Sequence, residues 1–173
     1  MVNLSRHNLH ICFLIILLFL KIFNYLFLPT SAFANENCIK YTNVLIENKF
    51  DNTQTVTIQA EVADEPDERA KGLMNRIELA KSNGMLFVYY YPSAPQFWMK
   101  NTLIPLDILF SDQEGRIIKI FENVPRLSEN TITAGEGGSF VLEINSGLID
   151  EFEIDQTWNM DFSDFFKTAK PFC

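Results

Sequence analysis

The stretch that decides the fold is residues 96–110, with the sequence QFWMKNTLIPLDILF. It is the densest apolar run after the first 34 residues, yet three polar side chains, Lys100, Asn101 and Asp107, lie within it. An apolar run of this length predicts two central β-strands joined at residues 104–105, with the rest of the chain packed around them. Polar groups that a core does not need indicate a site beside these strands.

Strand patterns continue on both sides of this stretch. Residues 55–62 alternate strictly between polar and apolar side chains, which predicts a half-buried strand. Residues 85–91 are apolar on both faces, as in a central strand. Three further segments, 117–121, 140–144 and 158–162, also have strand character. Many short strands with one or two short helices, and no βαβ rhythm, predict a mainly β domain, a compact antiparallel sandwich or barrel.

The connections between the strands contain helix and turn signals. Asp64 is a candidate cap for a short helix that begins near Pro66 and stops at Gly72, and capping explains the acidic residues there better than a cation site does. A second short helix is predicted over 147–152. The polar connection 124–138 is long enough to be functional, although a mobile loop is the simpler interpretation.

Residues 1–34 have the pattern of an export signal. A weakly basic start at Arg6 precedes an unbroken apolar run over 11–20, and Ala32 and Ala34 form the small-residue pattern that signal peptidase reads. We therefore expect cleavage after Ala34 and export to the periplasm or the extracellular space. The intact mass of protein recovered from its native envelope tests this, and a chain that still carries residues 1–34 would contradict it.

The alternative is an uncleaved membrane anchor over residues 11–28. Lys21 would then place a charge near the middle of the span, at a cost of about 3 kcal/mol. With cleavage, residues 35–54 form an N-terminal extension with the first strand, 55–162 a single β-rich domain and 163–173 a C-terminal tail.

The mature chain is acidic and contains no histidine. Cleavage leaves 139 residues, a length typical of one domain with one sizeable core. Because Arg6 and Lys21 leave with the signal, 12 basic and 22 acidic residues remain, a net charge of −10. Such a surface repels phosphate and anionic lipid, so we expect no nucleic-acid partner and no membrane association after cleavage. His7 and His10 both lie in the signal, which excludes Ser-His-Asp and Cys-His mechanisms and the usual catalytic zinc sites.

Two cysteines remain, Cys38 and Cys173, at the two ends of the mature chain. In an oxidising compartment they could form one disulfide bridge, since chain termini are often close together. Two free thiols on the terminal segments are an equally good interpretation. Non-reducing peptide mapping distinguishes the two.

Several blocks of residues follow one another along the chain in a specific order. They are 63–74, with Asp64, Glu68-Arg69 and Gly72-Leu73-Met74; 84–87, Gly-Met-Leu-Phe; 97–102, Phe-Trp-Met-Lys-Asn-Thr; 105–107, Pro-Leu-Asp; and 141–143, Val-Leu-Glu. From about Val56 to Phe162 the chain resembles the Domain of Unknown Function 192 family, also called an ancient conserved region family. The block at 97–102 is the most specific. The resemblance implies a compact, mainly β domain, often exported, and it implies no activity, because the family has no established one.

The candidate site comprises Arg69, Trp98, Lys100, Asn101 and Asp107. Asp107 lies among apolar residues, and a carboxylate there must be paired, hydrogen-bonded or lining a pocket. Lys100 and Arg69 are its candidate partners. In the functional interpretation Trp98 stacks on a ring or sugar while the polar groups contact the ligand. In the structural one, a salt bridge and hydrogen bonds close the turn at 104–105.

These observations leave three hypotheses about function. The first is a monomeric binding or accessory module for a small polar ligand or an envelope protein, with no cofactor and no metal. The second is a histidine-free enzyme with Asp107 as base and Lys100 or Arg69 as electrostatic stabiliser. The third is an envelope interaction protein without a small ligand. Met74, Met85 and Met99 could also hold copper(I), but methionine is more often a core residue.

Overall fold

The computed structural model describes residues 39–51 and 53–168. Seven strands form one sheet that curls into a half-barrel and carries three short helices. The predicted mainly β fold is confirmed. The elements in chain order are β1 (Tyr41–Asn48), β2 (Thr55–Ala63), α1 (Pro66–Lys71), β3 (Asn83–Ser93), β4 (Leu106–Ser111), β5 (Ile117–Val124), β6 (Gly138–Asn145), α2 (Leu148–Glu151), β7 (Trp158–Asp161) and α3 (Ser163–Thr168).

The export signal at 1–34 and the two terminal cysteines, Cys38 and Cys173, lie outside the described residues. Among the residues that are described, no helix has the length and apolar character needed to cross a membrane. The segment 163–173, expected as a tail, contains helix α3 in its described part. Phe165 of this helix is buried against the core, so the helix is part of the domain.

The strands lie in the order β5-β4-β6-β3-β2-β1-β7. All neighbouring pairs are antiparallel except β2 and β3, which are parallel. This pair departs from the antiparallel arrangement expected from the sequence. The reason is the connection through α1, which is long enough to cross over and return the chain in the same direction.

Alternation along the strands gives the sheet two buried faces. The first face carries a core that includes Val44, Ile58, Leu86 and Leu142, and α2 and α3 pack against it. The second face carries a smaller core. Its buried side chains include Leu73, Met85, Phe87, Met99, Ile108, Phe110 and Val141. The candidate functional residues are therefore to be sought among the segments that cover the second face.

Residues 96–105, which we call the cover segment, do not form the first of the two strands predicted for 96–110. Only β4 is a strand there, and all six of its residues are buried. In the cover segment Phe97 makes a single antiparallel bridge to Ile132. Asn101 then takes a positive φ of 56°, and the chain turns as Thr102 N–H donates to the Met99 carbonyl at 3.0 Å.

Backbone hydrogen bonds tie the cover segment to the long connection between β5 and β6. Met99 N–H donates to the Ser128 carbonyl at 2.8 Å, and Leu127 N–H donates to the Thr102 carbonyl at 3.1 Å. Together with the bridge at Phe97, these bonds give the connection a fixed place over the second face of the sheet. The covering layer is thus made of two irregular segments that satisfy part of each other's backbone.

The two edge strands, β5 and β7, approach each other at one end of the half-barrel. Met160 N–H donates to the Gly115 carbonyl at 2.8 Å, and Arg116 bridges to Asn159. Gly115, in the predicted hairpin turn, has a φ of 81°, and a Cβ there would lie 2.0 Å from the Met160 carbonyl oxygen. Glycine is therefore required both by the turn and by the close approach of β7.

Helix α1 is capped differently from the prediction. Glu65, not Asp64, is the N-cap residue, and the Glu68 carboxylate accepts the N–H groups of Asp64 and Glu65 at 3.1 and 3.0 Å. The Asp64 carboxylate instead binds the Lys40 ammonium group and the Tyr90 hydroxyl. Gly72 ends the helix at a φ of 48°, as predicted.

Candidate functional site

A cleft of about 230 Å³ opens on the second face of the sheet. One wall is the last turn of α1 and the residues that follow it, the opposite wall is the cover segment, and β3 and β6 supply the sheet side. Its polar and charged lining residues are Arg69, Lys71, Tyr89, Gln96, Thr102 and Glu143. Its aromatic lining residues also include Phe87, Phe97 and Trp98, and the remaining lining residues are Ala70, Gly72, Leu73 and Met74.

Glu143 is the most unusual residue of this cleft. It lies in the centre of β6, in register with Met85 of β3 and Ile108 of β4, so apolar side chains flank it on both sides. Only 5% of its surface is exposed. Its backbone pairs with both neighbouring strands, but its carboxyl group makes no hydrogen bond or ion pair with any other described residue. Burial without compensation raises the pKa of Glu143 to about 8. The carboxyl group is therefore mostly protonated at pH 7.

Arg69 projects from the last turn of α1 and lines the same cleft. Its Nη1 atom donates to the backbone carbonyls of Asp64 and Val88, the latter at 3.1 Å. Its guanidinium carbon lies 5.1 Å from the ring centroid of Tyr89, in cation–π geometry. Within the described residues it has no carboxylate partner, so its charge is held in place without being neutralised.

Tyr89 links these two groups electrostatically. It is half-buried, and burial is the main cause that raises the pKa of its hydroxyl group. The positive charge of Arg69 opposes that rise and the Glu143 carboxyl adds to it. Arg69, Tyr89 and Glu143 all line the same cleft.

Trp98 lies on the rim of the cleft with 49% of its surface exposed. The Nζ atom of Lys100 lies 5.0 Å from the centroid of its ring. Asn101 is exposed at the turn, and its carbonyl accepts the Asn75 N–H at 2.8 Å. Of the five residues predicted from the sequence, Arg69 and Trp98 line the cleft, Lys100 contacts Trp98, and Asn101 shapes the turn.

Asp107 is not among the residues that line the cleft. It is completely buried, and its Oδ1 atom accepts the Asn123 N–H at 2.8 Å. Its Oδ2 atom accepts the N–H groups of Gly147 and Ile149 at 2.9 and 3.0 Å. The ion pair expected with Lys100 or Arg69 is absent from the salt bridges of the described residues, because three backbone amides satisfy the carboxylate. Asp107 therefore fixes the start of α2 and the end of β5.

Residues 47–162 match the family described as an uncharacterised ancient conserved region, Domain of Unknown Function 192. The chain belongs to this family. The match confirms the resemblance seen in the sequence. No curated protein matches the chain.

Two crystal structures share the fold of this family member. One, from Sinorhizobium meliloti 1021, carries the description of a candidate transcription regulator. Its sequence is 31% identical to this chain, and the two structures superpose with a TM-score of 0.69. The match covers 73% of this chain and 96% of that chain. The other, from Novosphingobium aromaticivorans DSM 12444, is a protein of unknown function. Its sequence is 32% identical to this chain, and the two structures superpose with a TM-score of 0.66. The match covers 77% of this chain and 89% of that chain.

Sequence reasoning missed Glu143 as a site residue of this family member. The signal was present, because Glu143 is a carboxylate in the apolar strand 140–144. The argument that singled out Asp107 applies equally to it. Only the structure shows that amides satisfy Asp107, whereas Glu143 lies open to a cleft.

Met74, Met85 and Met99 are the three methionines for which the sequence favours a core role over copper(I) binding. Met85 and Met99 are buried in the core of the second face, and Met74 lines the cleft. Residues 39–51 and 53–168 also contain no group of three or more His, Cys, Asp or Glu side chains arranged to hold a metal ion. The two buried methionines act as core residues.

Proposed function

We propose that this member of the Domain of Unknown Function 192 family is an exported binding module that takes a small polar ligand in the cleft beside Arg69, Trp98 and Glu143. The observation that carries the proposal is the buried carboxyl group of Glu143, which has no partner among the described residues. A ligand that hydrogen-bonds to this carboxyl group would supply the partner that the described residues do not, an interaction worth about 1 kcal/mol net.

The other cleft residues support a ligand with a flat or apolar part. Trp98 offers an exposed ring at the rim, and the buried ring of Phe97 is perpendicular to that of Phe87, at a centroid separation of 4.8 Å. A concave apolar wall with a few fixed polar groups is the usual composition of small-molecule sites. In this proposal Lys100 and Asn101 act at the rim, and Asp107 has a structural role.

A thermal-shift screen of the purified protein against metabolites, sugars and metals tests the proposal. A ligand at 100 times its dissociation constant should add about 2.7 kcal/mol to the free energy of unfolding. Trp98→Ala and Glu143→Leu should each abolish this gain, because each removes one side of the cleft. Glu129→Gln, an exposed carboxylate on the connection after β5, is the matched control and should bind as the parent does.

Two outcomes would contradict the proposal. Stabilisation that persists in both cleft variants would place the ligand elsewhere on the molecule. A screen in which nothing stabilises the protein would favour the envelope-partner hypothesis, in which the exposed Trp98 contacts another protein.

Nucleic-acid binding is not part of the proposal, although one structural neighbour carries the description of a candidate transcription regulator. The chain has 14 basic and 22 acidic residues, and its net charge of −8 repels a phosphate backbone. The charge would be more negative still after removal of the signal.

A histidine-free enzyme remains the second candidate, with Glu143 in the role that the sequence suggested for Asp107. The observation in its favour is that the pKa of Glu143 is raised to about 8, within reach of acid–base chemistry near neutral pH. Turnover of any compound that stabilises the protein, lost in Glu143→Gln, would establish it. A stabilising compound that is recovered unchanged would favour the binding module.

A further inference from the structure

The charges of the cleft are opposite in sign to those of the protein as a whole. Arg69 and Lys71 of α1 line the cleft, and Glu143 is the one acidic residue among its lining residues in the described part of the chain. Because Glu143 is mostly protonated at pH 7, the lining carries two positive charges and little negative charge. Two basic side chains in the lining favour an anionic ligand over a cationic one within the cleft, although the chain as a whole has a net charge of −8.

Arg69 is also arranged to bind an anion directly. Its Nη1 atom is occupied by two backbone carbonyls, and Tyr89 supports the guanidinium group. The edge formed by Nε and Nη2 has no acceptor among the residues the structure describes. That edge presents two parallel N–H groups, the geometry that a carboxylate or phosphate oxygen pair accepts.

We infer that the ligand is a small oxyanion, held by the Nε–Nη2 edge of Arg69 and by the neutral carboxyl group of Glu143. This inference rests on the proposed binding function. The protonated carboxyl donates one hydrogen bond to an anionic oxygen. The cleft volume of about 230 Å³ is below the range of about 300–1,000 Å³ typical of sites for drug-sized ligands. The ligand is therefore small, with its apolar part against Trp98.

Binding of such an anion should depend on the protonation of Glu143. Above about pH 8 the group ionises, loses its donor and repels the ligand. The other groups that face the cleft are Arg69 and Lys71 from α1 and Tyr89 from β3, while the cover segment contributes the neutral Gln96 and Thr102. We therefore expect Glu143 to set the pH dependence in this range.

The test uses ligands that share one ring and differ in the head group. Benzoate, phenylphosphonate, benzamide and benzylammonium are titrated into the full-length protein by calorimetry. We expect benzoate or phenylphosphonate to bind and the amide and ammonium compounds to bind at least about tenfold more weakly. The ratio of the first two affinities distinguishes a carboxylate ligand from a phosphate-bearing one.

Variants of Arg69 distinguish the effect of its positive charge from that of its planar guanidinium group. Arg69→Gln should weaken anion binding by about tenfold or more, and Arg69→Lys, which keeps the charge without the fork, by less. Arg116→Gln, which removes an exposed guanidinium on the β4–β5 hairpin, is the matched control and should bind as the parent does. Glu143→Gln should keep anion binding and remove the loss of about tenfold per pH unit expected above about pH 8.

The outcomes distinguish the oxyanion assignment from the proposed binding function. Equal or tighter binding of benzamide or benzylammonium in the cleft would overturn the oxyanion assignment and leave the binding function in place. Anion binding that survives Arg69→Gln, in a variant whose circular dichroism and melting show a folded protein, would also overturn it. A protein that binds none of the four compounds, nor any compound in the broader screen, would overturn both.

Discussion

Asp107→Ala is expected to lower the free energy of unfolding by about 4 kcal/mol, the scale of removing a buried charge partner. The Asp107 carboxylate accepts three backbone N–H groups, from Asn123, Gly147 and Ile149, at 2.8 to 3.0 Å. Alanine would leave all three amides without this acceptor in a region that water does not reach. Urea unfolding, followed by circular dichroism, measures the change. Binding in the cleft should be retained by the folded fraction, because Asp107 does not line it.

Two further variants test the role of the Asp107 carboxylate. Asp107→Asn should cost less, about 2 kcal/mol, because one oxygen remains to accept from Gly147 and Ile149 while the amide nitrogen faces Asn123. Asp150→Ala, an exposed carboxylate in α2, is the control and should change stability by no more than about 0.5 kcal/mol. A loss at Asp107 no larger than that of the control would show that the three amides do not depend on the carboxylate.

A double-mutant cycle with Lys100 distinguishes this role from the ion pair expected from the sequence. If Asp107 and Lys100 were paired, Lys100→Met would rescue part of the loss caused by Asp107→Ala. Because backbone amides satisfy Asp107, the two changes should instead be additive within about 0.5 kcal/mol. Recovery of stability in the double variant would contradict the hydrogen-bond assignment.

The sequence predicted the strands better than the covering layer. Residues 55–62 alternate over a full strand, and the structure buries Val56, Ile58 and Ala60 on one face as that pattern requires. The cover segment alternates in the same way, with Phe97 and Met99 buried and Trp98 exposed, yet it makes only one bridge. Alternation reports which side chains face a core, and it does not report whether a neighbouring strand is present.

The candidate site was predicted in part for a related reason. Asp107 and Glu143 are both carboxylates in apolar strands, and the sequence treats them alike. They differ in what the fold brings to them: Asp107 meets amides from residues 123, 147 and 149, whereas Glu143 meets Met85 and Ile108. These partners are distant in the chain, so only the sheet register and the placement of α2 decide which carboxylate is satisfied.

Glu143→Gln is expected to raise the free energy of unfolding by about 3 kcal/mol at pH 7. In the folded protein the pKa of Glu143 is raised from its ordinary value of 4.5 to about 8, so the group stays protonated while the unfolded chain ionises. Between these two values unfolding releases a proton, and stability therefore falls by about 1.4 kcal/mol per pH unit as pH rises. Glutamine has a similar shape, is neutral at every pH and does not incur this loss.

The sign of the effect makes this prediction specific. The difference between Glu143→Gln and the parent should be near zero at pH 4, where both side chains are neutral, and should grow through the window from 4.5 to about 8. Glu129→Gln, the exposed control, should show no such growth. Chemical unfolding at five or six pH values measures both curves. A variant less stable than the parent at pH 7, or a difference that does not change with pH, would mean that Glu143 is ionised in the folded protein and has a partner there.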